Sequence, residues 1–530
     1  SQVPVLNQPN KPSDNTMNQS YPCSLANGLL CATLLSLGYP AASQAEMTLH
    51  ADFDSASLNV PQCEIIGQTI TLVPRATFPV GWRANKYLPL SFRLTGARGL
   101  TPRFEVNAPP LEIGAYLGGA GFQAEHQFLY SYDRENWIPF DNHQVDRANY
   151  PPDIAIPDQR YQFSNSSPFD ADTVYVSSQL PYPVSRVRSL VDSIASHRHV
   201  SPTRGADSDF IIGHGAGGVD ELGNLVPPQE ILAFRITDLT IPAFAKKKIV
   251  LACGQHGGVT HLSPVLEGMV RFLVSDDPRA AVLRDRTTFY VYPLLSPDSR
   301  YGGYWRSGPE HPDIDYNRVW SDPSGFTDLT IARDSMVADT GGDIDAFFCF
   351  YDVWGLHEDL GTTNSASTYL EEIKAIWASR LEVEVYTVDP TGPVPPYLEE
   401  WATHPEGLNA ESAFTPSIAP SFDLGRYQAF GEALAVALFN DLPDQSPIPS
   451  DPEITSISVD RTHQSVTINW TPVSGLAYRI ESSPDLGSEP WQVTQWEARG
   501  QSTATISYAS TGLPPRMMYR VLGFDAERGR

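Results

Sequence analysis

The sequence predicts an α/β fold built on a mixed, partly parallel sheet covered by helices, with a β-sandwich before it and a fibronectin-like β-sandwich after it. Three observations carry this expectation. Residues 46–180 are filled with short alternating or aromatic runs separated by Gly, Pro and Asn clusters, the patterning of a sandwich. Over residues 181–442 helical periods alternate with continuous apolar runs, which is how buried strands covered by helices read. Pro443, Pro447, Pro449 and Pro452 then interrupt regular structure and predict a stiff linker over residues 443–453.

The elements follow in order. Residues 1–45 read as an export leader, with an apolar-leaning core at 25–37 followed by the small residues Ser43 and Ala45. That core suits a secretory signal and is too short to cross a bilayer, so the expected destination is periplasmic or extracellular. In the first sandwich the strand candidates are 69–73, 87–94, 128–132 and 173–176. Val187, Leu190, Val191 and Ile194 then fall at helical spacing, as do Val265, Leu266, Met269, Val270 and Leu273. Between and after these helices, 248–253 (KIVLAC), 288–295 and 347–353 read as buried strands, and a closing helix carries Tyr427, Phe430, Leu434 and Leu438. The last sandwich, 454–530, offers strands at 454–459, 466–470, 478–481 and 518–521, with Trp470 for its core.

Charge removes one class of partner. The chain of 530 residues carries 36 Lys and Arg against 62 Asp and Glu, a formal charge of −26. Such a field repels phosphate backbones and anionic lipid, so nucleic acid is excluded as a partner and no membrane span is expected. The five cysteines, Cys23, Cys31, Cys63, Cys253 and Cys349, show neither a CxxC pair nor close even spacing. Neither a thiolate zinc site nor a disulfide scaffold follows from them.

Chemistry in open α/β sheets collects at the carboxyl ends of strands, which directs attention to the loops after Cys253, Leu295 and Val353. The first reads GQHGGVTHLSP, with His256 and His261. The second reads SPDSRYGGYWRSG, followed by DIDYNRVW; the third reads DVWGLHED. A separate glycine-rich stretch, GHGAGG at 213–218, has no G-x-S-x-G elbow in the α/β segment to make it an esterase loop, and it reads as loop chemistry.

In order and spacing these motifs resemble the zinc metallocarboxypeptidases of the carboxypeptidase A type, and the preceding sandwich makes the chain look most similar to their cytosolic carboxypeptidase branch. The resemblance covers residues 181–442, and reaches back to 46 with the sandwich. It implies that His256 is the first zinc ligand and that Asp315 orients it, fixing the imidazole tautomer from behind the metal. It implies that Arg306 stabilises a tetrahedral oxyanion, while Asn317 and Arg318 hold the terminal carboxylate of a peptide, a task suited to a planar guanidinium.

The other half of the family pattern departs. Val259 stands where the family has a ligand Glu, Trp354 where it has the third ligand, and Phe414, Ser417 or Ile418 where it has the general-base Glu. A zinc centre needs about three protein ligands and an open position for water. A shifted alignment supplies replacements: His261 and His357 as ligands, with Glu411 or Glu358 as base. The sequence therefore predicts a metallocarboxypeptidase-family protein, degenerate in catalysis, that binds peptide or protein C-termini through Arg306, Asn317 and Arg318. The alternative is an active zinc carboxypeptidase with relocated ligands. Zinc is the implied cofactor, with a depleted ligand set.

Overall fold

The computed structural model describes residues 46–75, 90–107, 128–145, 160–203, 209–220, 222–239, 246–350, 359–362, 368–377, 382–385, 389, 391–418 and 421–441, and in the C-terminal part 452–462, 464–472, 476–483, 492–497, 502–507 and 517–525. The leader expected over 1–45 and most of the expected linker lie outside these residues.

Eight strands form the central sheet: β1 (Val200–Pro202), β2 (Phe234–Ile236), β3 (Lys247–Cys253), β4 (Thr287–Tyr292), β5 (Ala346–Phe350), β6 (Asp359–Thr362), β7 (Glu382–Val385) and β8 (Ser412–Ser417). Their order is β1-β2-β4-β3-β5-β8-β6-β7. The middle four run parallel, with Ile249 opposite both Phe289 and Ala346, and Ala346 opposite Ser412. β2 joins β4 antiparallel, and β6 joins β8 antiparallel, so the sheet is mixed.

The KIVLAC run explains why β3 lies in the centre. Ile249, Leu251 and Cys253 feed one apolar core while Val250 and Ala252 feed the other, and a strand with both faces apolar requires helices on both sides. One layer holds α1 (Val184–Ile194), α2 (Ser263–Val274), α3 (Pro278–Arg286), α6 (Thr368–Trp377) and α8 (Leu424–Asp441). The opposite layer holds α5 (Thr327–Thr340) and the short α7 (Leu398–Thr403), with Trp320 packed on Trp401 at 5.6 Å. Helices α2 and α8 cross through glycine: a Cβ on Gly268 would lie 2.1 Å from the carbonyl oxygen of Gln428. Between the two layers, α4 (Pro297–Tyr301) follows β4.

Before the central sheet, two five-stranded sheets enclose one aromatic core. One runs Thr48–His50, Ser91–Thr95, Val174–Ser177, Leu129–Ser131, Ile138–Pro139; the other runs Glu64–Ile66, Thr69–Leu72, Arg103–Asn107, Arg160–Ser164, Asn142–Val145. Phe104 stacks on Phe163 at 4.8 Å between centroids. After the central sheet, two three-stranded sheets pack around Trp470 and Tyr478, whose rings lie 5.1 Å apart.

The first β region is tied to the loops above the central sheet. Ser55 N donates to Tyr301 O at 2.9 Å, and Thr260 Oγ1 donates to Leu180 O at 2.8 Å. Arg75 donates to Gly302 O at 2.8 Å and pairs with Asp220 at 3.1 Å, both side chains being buried. Among the described residues no helix is long and apolar enough to cross a membrane.

Candidate active site

β3 and β4 run parallel as neighbours, so the loops that leave their carboxyl ends meet. Leu295 N donates to Cys253 O at 2.9 Å, and Ser296 Oγ donates to Gly254 O at 2.8 Å. Gly254, at φ +69°, makes the turn out of β3, and a Cβ there would strike Leu294 at 2.5 Å. The result is a fixed platform for His256.

His256 is buried, and its Nε2 lies 2.9 Å from Asp315 Oδ1. Asp315 caps the 3-10 turn Tyr316–Arg318 by accepting from Asn317 N at 2.8 Å, and its Oδ2 accepts from Arg306 Nε at 2.8 Å. One carboxylate thus gathers three of the residues singled out from sequence. Burial works against its charge, but the His256 ring and the Arg306 and Arg318 guanidiniums outweigh that and hold the carboxyl below the usual range. Burial and the Arg306 charge bring His256 down to about 4, against the pull of Asp315, so the ring is neutral at pH 7. With Nε2–H donated to Asp315, the lone pair sits on Nδ1.

Asn317 and Arg318 extend from the same turn. Asn317 is buried, and its Oδ1 accepts from Leu398 N at 2.9 Å, docking α7 against the turn. Arg318 is half-buried, with its guanidinium 4.4 Å above the Tyr397 ring and Nη1 donating to Asn317 O at 2.6 Å.

The residues at the positions that depart from the family pattern fall elsewhere. Val259 is buried, and its carbonyl accepts from Arg300 Nη2 at 3.0 Å. Arg300 is itself 1% exposed and also donates to Tyr182 O at 2.6 Å; burial lowers its pKa. His261, at the foot of α2, lies with its ring 6.3 Å from that of Tyr427 in α8. The bonds of Val259 and Thr260 hold the loop between His256 and His261 down, which opposes the refolding that His261 would need to serve as a ligand beside His256. Ile418 is fully buried in the apolar core.

Glu411 corrects an expectation. It immediately precedes β8, which runs parallel to β5, and it lines a cavity with Lys247, Thr287 and Ala346, the first residues of β3, β4 and β5. It therefore lies at the amino-terminal edge of the sheet, whereas His256 leaves the carboxyl-terminal edge. Trp354, His357 and Glu358 lie outside the described residues. Among the described residues no group of three His, Cys, Asp or Glu side chains is placed to hold a metal ion. With Val259 aliphatic, the described set does not by itself fit a zinc centre of about three ligands.

Two features escaped the sequence reading. The GHGAGG loop packs on buried acids: Gly217 N and Gln229 N donate to Asp298 at 2.6 and 2.7 Å, and a Cβ on Gly215 would lie 2.1 Å from Asp298 Oδ2 and 2.4 Å from Asp328 Oδ1. Burial raises both Asp298 and Asp328, and the Asp298 charge pushes Asp328 up further. The second is Glu399 in the first turn of α7, whose Oε2 is buried beside Asn317 and Arg318 with no hydrogen-bond partner among the described residues. Glu399 is remote in sequence from the DYNR motif, and the only local hint is the acidic pair in LEEWAT after a proline-rich stretch.

Comparison with known proteins fits this architecture. The zinc carboxypeptidase family profile matches residues 220–347. Cytosolic carboxypeptidase 6 of Mus musculus is 34% identical over 114 residues, 21% of this chain and 21% of that protein. Cytosolic carboxypeptidase 2 of Danio rerio is 29% identical over 152 residues, 28% of this chain and 19% of that protein. The aligned part of the chain spans about a fifth of the length of these curated relatives. Among solved structures, a metallo-carboxypeptidase from Burkholderia cenocepacia superposes with a TM-score of 0.57 at 17% identity, over 76% of this chain and 100% of that one. A metallo-carboxypeptidase from Pseudomonas aeruginosa superposes with a TM-score of 0.53 at 17% identity, over 74% and 98%. The curated relatives are named cytosolic carboxypeptidases, which point to a cytoplasmic protein and overturn the expected export. Residues 220–347 thus match the zinc carboxypeptidase family, and the chain as a whole shares the fold of the metallo-carboxypeptidases.

Proposed function

We propose that this protein is a catalytically degenerate metallocarboxypeptidase that binds the C-terminal carboxylates of peptides or proteins through Asn317 and Arg318, with Arg306 beside them. The supporting observation is the 3-10 turn that Asp315 caps. It sets Asn317 and Arg318 next to His256, with the half-buried Arg318 guanidinium 4.4 Å over the Tyr397 ring. A guanidinium held over a ring and bonded to Asn317 O is pre-positioned before a ligand arrives, and its planar fork can donate two parallel hydrogen bonds to one carboxylate. The aliphatic Val259 supports the degenerate reading, because its side chain neither binds a metal nor moves a proton. We read the β regions on either side as a β-sandwich and a fibronectin-like sandwich that serve docking.

A peptide with a free C-terminus is expected to bind more tightly than its amidated form by about 1.5–3 kcal/mol, the scale of a hydrogen bond to a charged group. Arg318→Met is expected to erase that preference. Equal affinity of the wild-type protein for both peptides rejects the proposal. Stoichiometric zinc that is lost in a His357→Ala variant, together with turnover of a blocked peptide, would overturn the degenerate reading in favour of relocated ligands.

A further inference from the structure

We propose that Glu399 is a specificity-determining residue of the carboxylate anchor: its carboxyl group faces the Asn317 amide and Arg318 guanidinium that a peptide C-terminus would use, so a ligand carboxylate binds there with uptake of one proton. The inference rests on the reading of Asn317 and Arg318 given above and deepens it.

The geometry leaves Glu399 little alternative. Leu398 N donates to Asn317 Oδ1 at 2.9 Å, which leaves the NH2 end of that amide to donate to the Glu399 carboxyl. Glu399 Oε2 is buried and, among the described residues, accepts no hydrogen bond. Among the described residues, the groups facing it are Arg318 from the 3-10 turn, Glu400 from its own helix and Cys349 from β5. Burial raises Cys349 well above the usual thiol range, so it stays neutral and cannot balance a charge. Burial first, and then Glu400, bring Glu399 up to about 7, opposed by its own backbone amide, Arg318 and Asn317. Two carboxylates that share one guanidinium and one amide cannot both stay ionised in a buried site. A ligand carboxylate therefore drives Glu399 to its protonated form, in which the O–H becomes a donor to the incoming oxygen.

Titration calorimetry of the full chain with a short N-acetylated peptide ending in a free alanine carboxylate, beside its amidated form, tests this. For one linked proton and a group titrating at about 7, wild-type affinity for the free carboxylate is expected to fall about thirtyfold between pH 6 and pH 8.5. Runs in two buffers of different ionisation enthalpy should show about one proton taken up at pH 8.5. The Glu399→Gln variant should bind with flat affinity over this range and without proton uptake. A wild-type protein that prefers the free carboxylate yet takes up no proton and shares the pH profile of the variant overturns the role of Glu399 while keeping the anchor. If neither protein distinguishes the two peptides at any pH, the anchor itself is lost. The proton count needs only the wild-type chain, so it stands even where the variant misfolds.

Discussion

Replacing Asp315 by Asn changes no volume and removes one buried charge, and its cost can be worked from the bonds. Oδ1 accepts from His256 Nε2 and Asn317 N, and Oδ2 accepts from Arg306 Nε. An amide has an oxygen on one side only. If that oxygen turns to Arg306, the NH2 group confronts His256 and the Asn317 backbone. The imidazole can accept by switching its proton to Nδ1, but the backbone N–H has no such escape and is left unsatisfied, at about 1–3 kcal/mol. Arg306, only 4% exposed, also loses its counter-charge, and breaking a buried pair by removing one partner costs about 3–5 kcal/mol. Asp315→Asn is therefore expected to destabilise the α/β region by about 4–8 kcal/mol. The measurement is urea unfolding at pH 7 followed by the fluorescence of the buried Trp320 and Trp401. A double variant, Asp315→Asn with Arg306→Met, should recover at least half of the loss, because the stranded cation is gone. A loss under about 1 kcal/mol, or a double variant no better than the single one, refutes the account of Asp315 as the hub.

Two further expectations concern the frame around the site. Asp298 and Asp328 have folded pKa values above the unfolded carboxyl value of about 3.9, so their contribution to stability is full below that pH and declines as pH rises through the folded values. Asp328→Asn should remove its share of this decline, so its melting temperature should gain on the wild type from pH 4 upward; parallel curves would contradict the buried acid pair. Gly268→Ala should destabilise by about 1–3 kcal/mol in chemical denaturation despite alanine's better helix propensity, because its Cβ meets backbone of α8; a neutral or stabilising effect would show that the crossing can open.

Much of the central sheet was legible because its signals are local. KIVLAC reads as a strand buried on both faces, and the residues at helical spacing, Val265, Leu266, Met269, Val270 and Leu273, are all buried in α2. The site was legible only as far as motif order carries it: His256 and Asp315 meet across 59 positions, a distance that periodicity cannot bridge. Glu411 was misplaced because which end of a strand faces the site depends on strand direction, and direction is settled by pairing with β5 rather than by any residue near Glu411. Glu399 stayed hidden for a related reason, since α7 reaches Asn317 through a backbone amide whose partner leaves no mark in sequence.

Arg300 spans the seam between two segments that look separable. Its one guanidinium holds the carbonyl of Tyr182, just after the first β region, and that of Val259, in the loop carrying His256. A piece of the chain begun at residue 184 would keep every helix and strand of the central sheet yet strip this buried cation of the Tyr182 carbonyl, leaving it to Val259 O and Ser263 Oγ and slackening the histidine loop from beneath. Recombinant work on the recognition chemistry should therefore keep both segments joined, and swaps of the leading β region between homologues should be judged by whether a carbonyl still arrives at that guanidinium.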